Sequence, residues 1–382
     1  MSSSKSFYLD DIPLQEAHSR LHHAMQQAGL WKPLESEMVT LEEALGRVTA
    51  EPIWARASSP HYHASAMDGY ALRAGDTQGA SDRAPIDFQI GLQACYVDTG
   101  DPLPEWADAV VPIEHVEPQG ETFEGRALET IRLRAPLTPW THVRPMGEDM
   151  VASELVLPAG QVLRPVDLGA LAGCGHDHVN VRRKPRVAII PTGTELVPIG
   201  SAPRAGQIIE YNSLMLATQI DSWGGTATRF PIVPDDFNLI RKTVKRAARE
   251  YDLVLVNAGS SAGSEDHTAG VIEALGEVLV HGVAVRPGHP ILLGMLHSVG
   301  KSSRGLMSDS VPVIGVPGYP VSTMLTSEIF VEPLLACWLG RSPRETHVVQ
   351  AAMTRKVHSS MGDDEFLRVT VGRVGDRLVA AP

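Results

Sequence analysis

Cysteine is scarce in this sequence. The three cysteines, Cys95, Cys174 and Cys337, lie far apart, and none belongs to a CxxC pair. This spacing excludes a disulfide framework and a cysteine-based zinc site, and it is typical of a reducing cytosol. Basic residues are also outnumbered: 33 lysines and arginines stand against 45 aspartates and glutamates, a net charge of -12. The deficit argues against non-specific nucleic-acid binding, although a local basic pocket for a small anion stays compatible with it.

Long apolar runs are absent as well. No stretch approaches the ~20 consecutive apolar residues that a membrane helix needs. The N-terminal segment MSSSKSFYLDDIP has no apolar core of the length found in signal peptides. We therefore expect a soluble cytoplasmic protein. With 382 residues, 43% of them hydrophobic, the chain is long enough for roughly two to four domains with their own cores.

The residue pattern changes along the chain and predicts a multidomain protein that combines an α/β fold with β-rich parts. Strands alternate with helices between residues 183 and 342, which predicts a parallel sheet. Short strand-like pieces between turns of Pro, Gly and Asp indicate a β-rich domain inserted into an elongated N-terminal domain. The predicted domains are residues 1–58 with 148–182 (elongated N-terminal), 59–147 (inserted β-rich), 183–342 (α/β) and 343–382 (C-terminal β).

The stretch from Tyr251 to Thr268 combines an apolar run with a loop of small residues. Leu253–Val256 shows no polar alternation, which predicts a strand covered on both faces. The following loop, Asn257–Gly263, has two glycines and two serines, so its backbone N–H groups can approach an anion closely. Glu265 and Asp266 add acceptors for a cation. Taken alone, such a loop is more often a tight turn than a binding site.

Three polar clusters follow predicted strands: Thr192–Glu195, Asp235–Asp236 and Gly259–Asp266. The carboxyl ends of parallel strands share one edge of a sheet, so we expect the clusters to converge there. Carboxylates that converge without a basic partner suit a hard cation such as Mg²⁺. For Asp235–Asp236 taken singly, a helix N-cap is the favoured alternative, and for Glu195 a helix-start role is equally compatible. The three clusters together favour a site.

Two further motifs carry candidate residues. Arg286–Pro290 places Arg286 and His289 around a Pro-Gly turn, and an arginine fork with a titratable imidazole suits a tetrahedral oxyanion. The alternative is a hairpin turn with exposed basic side chains. Ser65–Ala71 contains Asp68 before a glycine, a turn signal for which an Asx turn is the alternative.

Several of these motifs occur together in the order and near the spacing of one family. They are SAMDGYA (65–71), GED (147–149), PTGTE (191–195), the Asp235–Asp236 pair, AGSSAGSEDHT (258–268), RPGHP (286–290) and VPGYPVS (316–322). Over nearly its whole length the sequence resembles the molybdopterin molybdenumtransferases of the MoeA type and is similar to the E-domain of gephyrin. SAMDGYA is the most specific of these motifs.

The resemblance implies a fold and an activity. The fold would comprise an elongated N-terminal domain with an inserted β domain, an α/β domain like the molybdopterin adenylyltransferases, and a C-terminal β-barrel that residues 343–382 form only in part. The activity would be Mg²⁺-dependent insertion of molybdate into adenylylated molybdopterin, with release of AMP and molybdenum cofactor. The protein would be a homodimer whose active site joins the α/β domain of one subunit to the inserted domain of the other.

The resemblance also implies roles for individual residues. The catalytic residues would be Asp68, Thr99, Asp149, Glu195, Asp235 and Asp266, and of these Glu195, Asp235 and Asp266 would hold Mg²⁺. The residues that bind the molybdopterin substrate would be Thr192, Gly193, Gly259, Ser260, Ser261, Gly263, Pro317, Gly318 and Ser322. The residues that bind molybdate would be Arg286, His289, Pro290 and Arg368.

The sequence departs from the family pattern at several places. The usual GGVSVG loop is AGSSAG here, and the two lysines of the usual KPGKP turn are replaced by Arg286 and His289. A further family lysine falls on Gly282, and the asparagine of the usual LPGNPVS is Tyr319. These departures concern the oxyanion and turnover more than the fold. Tungstate in place of molybdate, a molybdopterin-binding module without turnover, and a scaffold protein are the alternatives, and the carboxylate set argues against a scaffold.

Overall fold

The structure is a computed structural model that describes residues 12–119, 130–258, 267–297, 310–344, 347–359 and 361–382. The chain divides into two compact units. The first, called the α/β unit, comprises Met1–Glu37, Gly46–Ala50 and Val181–Pro382, and the second, called the β-rich unit, comprises Met38–Leu45 and Glu51–Asn180. The finer division into four domains stays a prediction.

The described residues form seven α-helices, together with shorter helical turns. The α-helices are α1 (Leu14–Gln27), α2 (Pro165–Gly173), α3 (Asn212–Ser222), α4 (Phe237–Glu250), α5 (Thr268–Leu275), α6 (Pro320–Thr326) and α7 (Glu332–Leu339). A π-helical turn, Ser327–Val331, joins α6 to α7, and the 3-10 turns are Leu41–Glu43, Ala74–Thr77 and Ile113–His115. None of the described helices is both long enough and apolar enough to span a membrane.

The strands up to residue 182 are short. They are β1 (Ser36–Thr40), β2 (Ile53–Trp54), β3 (Ala64–Ser65), β4 (Gly69–Leu72), β5 (Ile86–Gln89), β6 (Cys95–Val97), β7 (Ala109–Pro112), β8 (Glu117–Gln119), β9 (Thr130–Leu133), β10 (Val143–Arg144), β11 (Leu155–Leu157) and β12 (His178–Arg182). Within the β-rich unit, β6-β4-β7 and β5-β9-β8 form two antiparallel sheets. Phe88, Ile131 and Leu133 pack between these strands as its core. The β-rich character predicted for this part of the chain is therefore confirmed.

The strands after residue 182 build the α/β unit. They are β13 (Arg186–Thr192), β14 (Leu196–Val197), β15 (Ile208–Ile209), β16 (Thr226–Arg229), β17 (Leu253–Ala258), β18 (Gly276–His281), β19 (Val285–Arg286), β20 (Leu292–Leu296), β21 (Val311–Val316), β22 (Ala352–Met353), β23 (Asp364–Glu365), β24 (Thr370–Val374) and β25 (Arg377–Ala381). Six of them form one sheet in the order β16-β13-β17-β21-β20-β18. The first four are parallel, as predicted, and the last two run antiparallel.

The antiparallel edge follows from the length of the connection. Strand β18 ends at His281 and β20 begins at Leu292. A parallel pair needs a crossover of about a dozen residues or more, usually a helix. The short segment between the two strands cannot supply one, so β20 returns beside β18 in the opposite direction. The residue pattern of the sequence did not predict these two strands.

Both faces of the sheet are covered by helices. Ile189 and Leu255 point into one apolar cluster with residues of α1, α3 and α7, whereas Ala188 and Val254 point into a second cluster with residues of α4 and α5. The unbroken apolar runs of β13 and β17 are explained by this double burial. Helix α1, whose sequence pattern places it in the N-terminal domain, buries Leu21 in the first cluster, and full burial of one such side chain contributes about 1.5–3 kcal/mol.

Candidate active site

The carboxyl ends of three parallel strands meet at one edge of the six-stranded sheet. Thr192, at the end of β13, pairs with Ala258 of β17, and Asn257 pairs with Val316 at the end of β21. Strand β20 begins at the same edge, because its first residue, Leu292, pairs with Gly315 of β21. The turn 286–290 leads directly into β20. The sheet therefore brings three of the sequence motifs, PTGTE, VPGYPVS and RPGHP, to one edge.

Two of the polar clusters are joined by hydrogen bonds. The Thr194 N–H donates to Asp235 Oδ2 at 2.9 Å, and the Asp235 N–H donates to Thr194 Oγ1 at 3.2 Å. This reciprocal pair fixes the loop after β13 against the loop that precedes α4. The expected convergence of the TGTE and DD motifs is thus seen in the structure, while the catalytic roles of their residues stay predictions.

The side chains of the neighbouring Asp235 and Asp236 have different hydrogen-bond partners. Asp236 Oδ1 accepts the Leu239 N–H at 2.8 Å and so caps the first turn of α4. The N-cap alternative considered for the pair is therefore confirmed for Asp236. The carboxylate of Asp235 instead holds Thr194. Of these two aspartates, only Asp235 bonds through its side chain to the loop that carries Glu195.

Glu195 folds back over the loop. A Cβ atom at Gly193 would lie 2.8 and 2.9 Å from the two carboxylate oxygens of Glu195. That is closer than a Cβ normally approaches any heavy atom, so a side chain at Gly193 would displace the carboxylate. Glycine is favoured here by this crowding, to which Leu196 Cγ adds at 2.8 Å, and by the φ of 157° at Gly193.

A cavity of about 330 Å³ opens beside these residues. It is lined by Thr192, Glu195, Leu196, Ile208, Ile209, Glu210, Tyr211, Asn212, Asn257, Gly318, Tyr319 and Pro320. Its walls are largely aliphatic and aromatic, with a few amides and carboxylates between them, as in typical small-molecule sites. Thr192 and Gly318 were predicted to bind substrate, whereas Glu210, Tyr211 and Asn212 were not identified from the sequence.

An amide in the cavity lining has an unused acceptor. Asn212 Nδ2 donates to the Gly318 carbonyl oxygen at 2.7 Å. Its Oδ1 is buried and has no hydrogen-bond partner among the described residues. A buried acceptor without a partner costs free energy that a ligand donor can recover.

A buried carboxylate supports the floor of the cavity. Glu210 accepts the Ser213 N–H at 2.8 Å and the Ser213 hydroxyl at 2.6 Å. Arg229 approaches Glu210 Oε2 at 3.5 Å and donates from Nε to Ser213 Oγ at 2.7 Å. The network fixes the start of α3. The sequence gives no recognised signal for it, because a capping box has Ser or Thr three residues before Glu, and here the order is reversed.

The PGYP segment is tied down by its neighbours. Asn257 Nδ2 donates to the carbonyl oxygens of Val316 and Pro317 at 3.3 and 3.1 Å. Thr323 Oγ1 donates to the Pro317 oxygen as well, at 2.5 Å. Ser322 is buried in α6. The segment therefore contributes a rigid wall to the cavity, and substrate contact by Pro317, Gly318 and Ser322 stays a prediction.

Part of the predicted site lies outside the described residues. This applies to the small-residue loop with Gly259, Ser260, Ser261, Gly263 and Asp266. Within the described ranges no group of three or more His, Cys, Asp or Glu side chains could hold a metal ion. The carboxylates of Glu195 and Asp235 fit a hard cation such as Mg²⁺ in kind. With Asp266 outside the description, the magnesium site stays a proposal.

The basic turn has an acidic partner that the sequence did not reveal. Arg286 Nε lies 2.5 Å from Asp363 Oδ2, and the side chain of Asp363 is 11% exposed. Strand β19, which ends at Arg286, pairs in parallel with β23 of the C-terminal segment. His289 Nδ1 lies 2.9 Å from the Val283 carbonyl oxygen, so this nitrogen carries the proton. Arg368 is exposed. Molybdate binding by Arg368 and Pro290 stays a prediction.

In the β-rich unit the structure brings Asp68 and Thr99 together. Asp68 Oδ1 accepts the Thr99 hydroxyl and the Thr99 N–H, each at 2.7 Å. These hydrogen bonds, that of the side chain first, lower the pKa of the Asp68 carboxyl below its usual value. Asp68 therefore binds Thr99 and does not form the Asx turn considered from the sequence. Gly69 begins β4, where a Cβ would lie 2.0 Å from the Val111 carbonyl oxygen.

Asp149 belongs to a separate ion cluster. Arg144 Nη2 contacts both oxygens of Asp149, at 3.0 and 3.1 Å, and Arg144 Nε contacts Glu148 at 2.9 Å. All three side chains are about half exposed. The described contacts of Asp149 are therefore to Arg144, and none of them joins it to the pair of Asp68 and Thr99.

Comparison with known proteins agrees with the geometry. Residues 12–175 match the family described as "MoeA N-terminal region (domain I and II)", and residues 188–336 match that described as "Probable molybdopterin binding domain". The chain is 31% identical to molybdopterin molybdenumtransferase 2 of Mycobacterium tuberculosis, over 90% of this chain and 85% of that protein. It is 29% identical to molybdopterin molybdenumtransferase of Bacillus subtilis, over 97% and 85%.

A solved structure extends the similarity to the fold. The molybdopterin biosynthesis MoeA protein from Pyrococcus horikosii superposes with a TM-score of 0.77 at 32% identity, covering 98% of this chain and 90% of that one. The similarity runs through both units and is not confined to a single motif.

Proposed function

Because the chain belongs to the molybdopterin molybdenumtransferase family, we propose that it inserts molybdate into adenylylated molybdopterin, with Mg²⁺, and releases AMP. The family establishes the broader statement that the protein is a transferase of molybdenum cofactor biosynthesis. The observation that carries the finer proposal is the hydrogen-bonded junction of Thr194 and Asp235 beside the cavity, at the edge where the Arg286 turn enters the sheet.

In this proposal the residues of the α/β unit have separate roles. The cavity holds a ring system of the substrate, and its carboxylates and amides accept hydrogen bonds from that ring. Glu195 and Asp235, with Asp266, would hold the cation. When bound, Mg²⁺ neutralises and polarises the phosphoanhydride that is cleaved. Arg286 supplies donors and positive charge for a tetrahedral dianion, and His289 lies on the same turn as a further proposed contact.

The carboxylate of Asp68 is suited to an ionised role in the same proposal. Thr99 fixes one of its oxygens through two hydrogen bonds, and these lower its pKa, so the carboxylate stays ionised at neutral pH and further into the acid range than an ordinary aspartate. A charged group held in this way can orient a proton donor or a cation without rearranging. The proposal therefore keeps Asp68 and Thr99 as catalytic residues, and Asp149 with them.

The direct test is an assay of AMP release. Purified protein is mixed with adenylylated molybdopterin and Mg²⁺, with molybdate in one arm and tungstate in the other. Release of AMP that depends on the oxyanion and stops when a chelator removes the cation supports the proposal, and the faster arm identifies the oxyanion. Absence of AMP in both arms, from folded protein that still binds the nucleotide, would overturn it. Light scattering tests the proposed homodimer, whose mass is twice the 41.2 kDa of the chain.

One observation favours a second candidate, a binding module without turnover. Arg286, predicted to bind molybdate, is paired with Asp363 of the C-terminal segment. A neutralised guanidinium attracts an anion less strongly than a free one. Under this candidate the protein binds adenylylated molybdopterin but no AMP appears in the assay above.

A further inference from the structure

We infer that Tyr211 and Tyr319 form an aromatic clamp that selects a planar fused heterocycle in the cavity beside Glu195. The inference rests on the proposed function, since adenylylated molybdopterin carries two such rings, adenine and pterin. Both tyrosines line the same cavity of about 330 Å³. Tyr211 is 47% exposed and Tyr319 is 77% exposed, so about half of the first residue and most of the second are accessible to a ligand.

Neither tyrosine caps its helix with its own side chain. Tyr211 is the N-cap of α3 and Tyr319 is the N-cap of α6, and neither makes a side-chain cap hydrogen bond. Ser, Thr, Asp and Asn are preferred at N-caps because their short side chains accept a backbone N–H. At α3 the Glu210 carboxylate supplies such a bond by accepting the Ser213 N–H. Helix capping therefore does not explain a tyrosine at either position, whereas contact with a ligand does.

The polar groups of the cavity specify what kind of ring fits. The buried Asn212 Oδ1 is an acceptor that lacks a hydrogen-bond partner among the described residues. The carboxylate of Glu195 is a further acceptor in the lining. A ligand that satisfies them must present N–H donors at its edge while its faces meet apolar and aromatic side chains. Adenine and pterin share this chemistry, because each is flat and carries an exocyclic amine.

Stacking gives the clamp its selectivity. Aromatic side chains bind the π-face of a base, and such contacts change affinity by roughly fivefold or more. Tyr319 lies within the rigid PGYP segment, where Asn257 and Thr323 hold the Pro317 carbonyl oxygen. The ring is therefore carried on a fixed support, and the clamp distinguishes a fused heterocycle from a ribose phosphate that lacks one.

Calorimetric binding of three probes tests the inference. The probes are AMP, pterin and ribose 5-phosphate, added to the full-length protein without oxyanion or Mg²⁺. We expect AMP, pterin or both to bind more tightly than ribose 5-phosphate. The probe whose affinity falls in the clamp variants identifies the ring that the clamp holds. Since no turnover is measured, the result is independent of whether AMP is released in the activity assay.

The variants separate a binding role from a structural one. Tyr319→Ala and Tyr211→Ala are expected to weaken the ring probe about fivefold to tenfold, while Tyr319→Phe stays within about twofold because the ring remains. Tyr319→Asn introduces a preferred N-cap, so it should raise the unfolding temperature and still weaken binding. Leu239→Ala, on α4 outside the cavity lining, is the control. Unchanged affinity in Tyr319→Ala, or no preference of the unmodified protein for a ring, would overturn the clamp.

Discussion

Asp235→Ala is expected to slow AMP release about 100-fold, because a small displacement of a catalytic loop costs this much. Asp235 Oδ2 holds the Thr194 N–H, and Thr194 Oγ1 receives the Asp235 N–H in return. Removing the carboxylate frees the loop that carries Glu195 and also removes one proposed cation ligand. The rate is measured in the AMP-release assay at saturating substrate and Mg²⁺.

Two further variants, Asp236→Ala and Asp235→Asn, separate the positioning of the loop from the binding of the cation. Asp236→Ala deletes only the N-cap of α4, so it should cost about 1 kcal/mol of stability and leave the rate within about twofold. Asp235→Asn keeps an oxygen that can accept the Thr194 N–H but has no charge. If Asp235→Asn works as well as the unmodified protein, the residue only positions the loop and is not a cation ligand. Activity of Asp235→Ala equal to that of Asp236→Ala would contradict both roles.

Asp252→Ala is expected to destabilise the α/β unit by about 3–5 kcal/mol, the usual cost of breaking a buried ion pair by removing one partner. The Asp252 side chain is 1% exposed and faces the Arg183 guanidinium, with Nη1–Oδ2 and Nη2–Oδ1 distances of 2.8 and 3.1 Å. Asp252 Oδ2 also accepts the Arg186 N–H at 2.7 Å. The variant leaves Arg183 half-buried without this partner and deprives the first residue of β13 of its acceptor.

Urea unfolding followed by circular dichroism measures the loss. The matched control is Glu16→Ala, which removes an exposed i,i+4 pair with Arg20 in the same unit and should change the free energy of unfolding by less than about 1 kcal/mol. A loss for Asp252→Ala no larger than that of the control would show that water replaces the pair without penalty.

Local patterns predicted those parts of the fold that local interactions determine. The strand predicted over Leu253–Val256 lies within β17, and its residues are buried on both faces of the sheet as expected. Strands β18 and β20 were missed because their direction depends on the connection between them. The packing of α1 against the sheet was missed because an amphipathic helix does not specify which apolar surface covers it.

In the candidate site, too, local patterns predicted some features, and others depend on tertiary packing. The TGTE and DD motifs could be placed at one edge because parallel strands align their carboxyl ends, and the Thr194–Asp235 hydrogen bonds agree. The pairing of Glu210 with Arg229 and that of Arg286 with Asp363 were not predictable, since each joins residues from separate elements. Their chemistry is visible in the sequence, but their proximity is a product of tertiary packing.

Arg286 is paired with Asp363, so an anion that binds at this turn as proposed would compete with a carboxylate that is already in place. A monoanion would gain little by replacing that carboxylate, whereas a dianion would gain more. The proposed site would therefore select anions by charge, and charge alone would not separate molybdate from tungstate. Asp363 adjoins β23, the strand that pairs with β19, so an anion that displaces Asp363 would also weaken the pairing of these two strands.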